Sequence, residues 1–121
     1  MKIYEYPKCS TCRSAKKFIN ANNIKADFVD IKSSCPSKED INTILDTFNV
    51  ELKSLFNTSG NMYRELGLKD KLPTLSQDEQ IKILLSDGML IKRPLAYDFN
   101  KKIFLQGFKE NIWKETLVKE N

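Results

Sequence analysis

A strand-like run from Lys2 to Tyr6 stops at Pro7 and leads straight into Cys9-Ser10-Thr11-Cys12, where an amphipathic helix should begin. This junction constrains the fold more than any other stretch of the chain. The spacing predicts a helix from about Ser10 to Asn22, with Ala15, Phe18 and Ile19 on one face. Asn22-Asn23 closes it as a turn, and Ala26 to Ile31 reads as a second strand. Strand, helix and strand make a βαβ unit with two cysteines at its first turn.

The middle of the chain reads as helical. Ser37 followed by Asp40 makes a capping-box-like start, and Ile41, Ile44, Leu45 and Phe48 form an i, i+3, i+4, i+7 stripe. Short pieces follow at about Leu52 to Phe56 and Met62 to Leu66, the second ended by Gly67 as a left-handed cap. Ser76 with Glu79 opens a helix that carries Ile81, Leu84 and Leu85 and stops near Gly88. Met89 to Lys92 and Ala96 to Phe99 read as strands, with Pro94 between them. Asn100-Lys101 then turns into Lys102 to Leu105. Gln106-Gly107 leads to a last helix presenting Ile112, Trp113, Thr116 and Leu117. The order is βαβ, several helices, ββα. It predicts an α/β fold of thioredoxin-like layout with a mixed central sheet, one domain over residues 1–121, and a helical insert at about residues 37–87. Such an insert is longer than the connections usual in compact domains.

Composition narrows the chemistry. No histidine occurs among the 121 residues, so Cys-His nucleophile pairs and His-ligated metals are excluded. With three cysteines, a four-sulfur zinc site within one chain is excluded as well, and no metal is expected. Twenty basic and 16 acidic residues are spread along the whole length and leave a net charge of +4. No basic run resembles a nucleic-acid arm, so direct nucleic-acid binding is not expected. No apolar run approaches the roughly 20 residues of a membrane span, and Glu5 comes too early for a signal peptide. A cytoplasmic location is therefore expected, where a Cys-x-x-Cys is more often catalytic or sensory than structural.

Cys9 precedes the helix and is the better nucleophile. Its sulfur can accept backbone N–H groups of the first turn, where the helix dipole also favours a thiolate. Cys12 lies a turn inside and should be less exposed. Lys8 and Arg13 add positive charge nearby, which should lower the Cys9 pKa further. The expected cycle has Cys9 attack a disulfide and Cys12 resolve the mixed disulfide; two incidental buried cysteines are the structural alternative. Arg93-Pro94 is a second candidate: a cis bond there would set backbone groups beside the thiols, and a strand-edge proline with an exposed arginine is the alternative. Cys35, in a loop before Pro36, is either a third resolving thiol or an unpaired cysteine.

Tyr6-Pro7-Lys8-Cys9-Ser10-Thr11-Cys12-Arg13 resembles the active-site loop of the ArsC/Spx family, the glutaredoxin-linked arsenate reductases and their Spx-like relatives. The resemblance continues through Cys35-Pro36-Ser37-Lys38-Glu39-Asp40, Leu55-Phe56-Asn57-Thr58, Tyr63-Arg64-Glu65-Leu66-Gly67-Leu68 and Leu90-Ile91-Lys92-Arg93-Pro94-Leu95. It implies a thioredoxin fold with a helical insert and a cis proline at Pro94. Arsenate reductases of this type use one cysteine, matching Cys9, and three arginines that bind the oxyanion. Arg93 matches one of these, while Asn57 and Gln106 stand near the other two. Each lost charge-assisted contact costs about 1.5–3 kcal/mol, which argues against arsenate as the substrate. Cys12 points toward the Spx-like members, which carry Cys-x-x-Cys as a redox switch. The Spx pattern also has an arginine near Thr58-Ser59 and a glycine around Val50 to Leu52, and this chain shows neither.

The leading expectation is a dithiol redox protein built on Cys9 and Cys12, supported by Arg13, Arg93 and Pro94. An Spx-like regulator binding the RNA polymerase α subunit is the alternative, and a glutaredoxin-dependent arsenate reductase comes third. No resident cofactor is expected. Glutathione with glutaredoxin, or thioredoxin, is the reductant to consider, and the partner is a disulfide-bearing protein or small thiol. The protein is expected to be a monomer.

Overall fold

Residues 1–118 are described by the computed structural model, and they group into two compact units, residues 1–30 with 93 onward, and residues 31–92. The first unit is built on a sheet of four short strands: β1 (Lys2–Glu5), β2 (Asp27–Asp30), β3 (Leu95–Asp98) and β4 (Ile103–Gln106). Their order is β2-β1-β3-β4. β1 pairs parallel with β2, bringing Ile3 opposite Phe28. It pairs antiparallel with β3, bringing Ile3 opposite Ala96, and β3 pairs antiparallel with β4 through Ala96 and Leu105. The mixed sheet thus takes its parallel pair from the βαβ crossover and its antiparallel pairs from the C-terminal hairpin. This is the thioredoxin-like α/β layout.

β1 is a central strand, and its residues Ile3, Tyr4 and Glu5 are all buried. Glu5 is the one charged side chain in that state among the described residues; the Lys16 ammonium lies 3.3 Å from it and 4.8 Å over the Phe28 ring. Helix α1 (Ser10–Ala21) buries Cys12, Ala15, Phe18 and Ile19, one stripe at helical spacing. Ala15, Phe18 and Ile19 pack with Ile3, Ala96, Leu105 and Trp113 into the core of this unit. Trp113 comes from the last helix, α6 (Glu110–Leu117), and its indole N–H donates to the Gly107 carbonyl at 3.0 Å. Phe108 stands 5.8 Å from Phe18 and 5.2 Å from Trp113, ring centre to ring centre.

The second unit holds α2 (Lys38–Phe48), α3 (Asn61–Glu65), α4 (Leu68–Lys71) and α5 (Gln77–Leu84), joined by 3-10 turns at Leu52–Leu55, Leu72–Thr74 and Gly88–Leu90. Ser37 caps α2 by accepting the Asp40 amide at 3.0 Å. Ser76 and Glu79 close a reciprocal capping box on α5, with bonds of 3.2 and 2.9 Å. Gly67 adopts φ +63°; it ends α3 and also starts α4, a helix that the sequence reading passes over.

Met89 to Lys92 is not a strand. The Asp87 carboxylate accepts the Met89 amide at 2.8 Å, while the Leu90 and Ile91 amides donate to the Asp87 and Gly88 carbonyls at 3.0 and 3.1 Å. Those donors are satisfied locally, and only a single bridge, Ile91 to Phe56, remains. Among the described residues, no helix is long and apolar enough to cross a membrane.

Candidate active site

The loop between β1 and α1 folds back on itself. The Cys9 amide donates to the Tyr6 carbonyl at 2.9 Å, and Cys9 takes the N-cap position of α1 in an extended conformation (φ −87°, ψ 122°). Its sulfur, rather than a hydroxyl or carboxylate, accepts the first-turn amide of Cys12 at 3.4 Å. Cys12 sits one turn inside the helix with 1% of its surface exposed, and its sulfur accepts the Tyr6 amide at 3.5 Å. Cys9 is only half-buried. The two thiols therefore differ in access, and each accepts one backbone amide, Cys9 from the first turn of α1 and Cys12 from Tyr6 in the loop.

Their acidities diverge accordingly. Partial burial raises the Cys9 pKa, but the Cys12 amide, the Cys12 thiol, the Thr11 amide and the Arg93 guanidinium together outweigh it, so the net shift is downward. Cys12 is pushed up to about 12, first by burial and then by its hydrogen bond to Cys9 and the charge of Cys9. One thiol is poised to ionise and the other is held protonated.

The cation whose charge lowers the Cys9 pKa is Arg93. Lys8 is exposed, and the Arg13 guanidinium donates to the Pro7 carbonyl at 3.3 Å, tying the loop to the helix. Arg93 is half-buried and joined to buried Pro94 by a cis peptide bond. The Pro94 carbonyl accepts the Gly107 amide at 2.9 Å, and Arg93 stands over the Tyr6 ring, 5.5 Å from its centre. The sequence marks Tyr6 as the end of a strand and the first residue of the loop resembling an active site, and gives no sign of its contact with Arg93. Gln106 pairs across the hairpin with Leu95, the residue after Pro94, so an uncharged side chain stands where the resemblance sets an anion-binding arginine. Asn57 lies in the second unit, where its amide donates to the Leu90 carbonyl at 2.8 Å.

Cys35 also belongs to the second unit. It lines a cavity of about 230 Å³ with Lys32, Ser33, Ser34, Ser86, Asp87 and Gly88, and its thiol donates to the Ile31 carbonyl at 3.7 Å. Burial, and then the Asp87 carboxylate, raise its pKa, so it is held as a thiol. Among the described residues, no group of three or more cysteine, aspartate or glutamate side chains is arranged to hold a metal.

Residues 4–116 match the ArsC family. The chain belongs to the ArsC family. It is 47% identical to the uncharacterised protein YusI of Bacillus subtilis over 93% of this chain and 94% of the relative. Regulatory protein MgsR of the same organism is 24% identical over 85% of this chain and 79% of its own length. Among solved structures, one described as "a possible arsenate reductase" from Streptococcus mutans is 49% identical, with a TM-score of 0.81 over 89% of this chain and 90% of that one. The chain's relatives thus include both reductase-named and regulator-named proteins.

Proposed function

We propose that this ArsC-family protein is a cytosolic thiol–disulfide redox protein, with Cys9 as nucleophile and Cys12 as resolving thiol. The observation that carries this reading is the Cys9 sulfur at the N-cap of α1, accepting the amide of a buried Cys12 whose own sulfur is held by Tyr6. In the first step the Cys9 thiolate attacks a substrate disulfide, forms a mixed disulfide and releases one substrate thiolate. Cys12 then gives up its proton to that thiolate or to water and attacks the Cys9 sulfur, releasing the second thiolate. The substrate gains two electrons, and the protein leaves with a Cys9–Cys12 disulfide that an external dithiol, such as reduced thioredoxin or glutaredoxin, returns to the thiol form.

The environment of Cys12 fits the order of these steps. Two of the influences that hold it protonated, the hydrogen bond with Cys9 and the negative charge on Cys9, disappear once Cys9 enters the mixed disulfide. Cys12 thus becomes more acidic once the intermediate has formed, when its attack on the Cys9 sulfur is required.

The test is a titration of the purified protein in graded dithiol buffers, read by alkylation and mass. A Cys9–Cys12 disulfide that forms reversibly, and is lost in Cys9→Ser, is the expected result. A Cys9 adduct with glutathione and no internal disulfide would overturn the dithiol reading in favour of single-cysteine chemistry. The similarity to a relative named as a regulatory protein, MgsR, favours one second reading, a redox-sensing regulator that uses the same disulfide; the Spx-like resemblance makes the RNA polymerase α subunit its partner to test. A pull-down with that subunit in both redox states separates the two; no binding in either state removes the regulator. Arsenate reduction is the weaker reading, because Asn57 and Gln106 offer no charge to an oxyanion.

A further inference from the structure

Tyr6 touches all three functional groups of the site. Its carbonyl accepts the Cys9 amide at 2.9 Å, its amide donates to the Cys12 sulfur at 3.5 Å, and its ring lies 5.5 Å under the Arg93 guanidinium. The two main-chain bonds fix the backbone from which the ring projects, one to the Cys9 amide and one to the Cys12 sulfur. An arginine has many rotamers, and a half-buried one beside a thiolate is effective only if its charge stays there. An aromatic face within about 6 Å attracts a guanidinium through its quadrupole and leaves the positive charge intact.

We propose that Tyr6 is a positioning residue, whose ring holds the Arg93 guanidinium over the loop that carries Cys9 while its backbone fixes the Cys9 main chain and the Cys12 sulfur. The proposal rests on Cys9 being the nucleophile, as inferred above. Its ring acts only through Arg93, and the phenolic hydroxyl plays no part in it. Charge near Cys9 already comes from the helix N-terminus, which contributes whatever the side chains do. The contribution of Arg93 is separate, because it comes from a residue brought in by the chain just before β3 and depends on the direction in which that side chain points.

The test reads the pH midpoint of Cys9 alkylation by iodoacetamide, with the label located by mass, in the wild type, Tyr6→Phe, Tyr6→Leu, and each of these with Arg93→Met. Tyr6→Phe keeps the ring and is expected to keep the midpoint. Tyr6→Leu removes it and should raise the midpoint by up to about half a pH unit, or about a threefold slower reaction at neutral pH. With Arg93→Met the midpoint is higher still, and Tyr6→Leu should then add nothing. An unchanged midpoint in Tyr6→Leu overturns the proposal, and so does an equal shift with and without Arg93. Trp113 emission in urea verifies that each variant is folded; should Tyr6→Leu fail that check, Tyr6→Gln, polar but without a ring, takes its place with the same expectation. Alkylation needs no disulfide partner, so the Tyr6 result can hold even if the exchange reaction proposed above is not found, and exchange can hold if Tyr6 proves inert.

Discussion

Cys12 shows how far a single environment can separate two chemically identical side chains. Its thiol is buried and its pKa is pushed up from an ordinary 9.0 to about 12, so the folded chain prefers it neutral. A group whose acid form is favoured by folding adds stability that is complete below its unfolded pKa and is lost as the pH climbs toward its folded one. The reduced protein should therefore lose stability between pH 9 and 12 more steeply than Cys12→Ala, which has no thiol to ionise. Urea midpoints followed by Trp113 emission across that range check this, and parallel curves for the two proteins would contradict it. The asymmetry was legible in the spacing, because an N-cap residue and one a turn later must differ in exposure. The choice of cation was not. Lys8 and Arg13 are near Cys9 in sequence, while Arg93 and its Tyr6 platform come together only through the pairing of β1 with β3.

At the level of elements, what could be read in advance was what is encoded within a few residues. The Ser37 and Ser76–Glu79 caps and the left-handed Gly67 are local devices, and each ended or began a helix where its sequence said it would. The segment from Met89 to Lys92 misled because its apolar residues carry strand propensity. A neighbouring side chain, Asp87, captures the first amide and winds the chain into a 3-10 turn. That turn depends on Gly88 for a reason no sequence pattern displays. A Cβ at this position would collide with the carbonyl oxygen and carbon of Ile31, and a backbone group cannot swing aside as a flexible side chain can. Gly88→Ala should therefore destabilise the protein by about 1–3 kcal/mol, the range for overpacking a filled site. A lowered urea midpoint with an unchanged slope would match; an unchanged midpoint would mean that the Ile31 backbone yields more easily than the packing suggests.

For the whole molecule, redox state and folding stability are linked through the same site. In the reduced protein the Cys9 sulfur accepts the Cys12 amide, caps α1 and gains from Arg93, all of which favour the thiolate. A Cys9–Cys12 disulfide removes that negative charge and the favourable interactions that depend on it. The ring it closes is so small that little unfolded-chain entropy is lost in return. Once Cys9 is ionised, folding favours the reduced form, and by the thermodynamic cycle the disulfide is then easier to reduce in the folded chain than in the unfolded one. The reduced protein should melt at the higher temperature, and Arg93→Met should narrow the gap by weakening the thiolate alone. Calorimetry on both redox forms, at a pH above the midpoint of Cys9 alkylation, measures each Tm directly. The wild-type gap should also widen with pH while Cys9 is still titrating, because more of the reduced population then carries the stabilised charge. An oxidised form that melts higher would mean that strain or repacking around the thiols outweighs the electrostatics, and the site would then be built to keep its disulfide rather than to give it up.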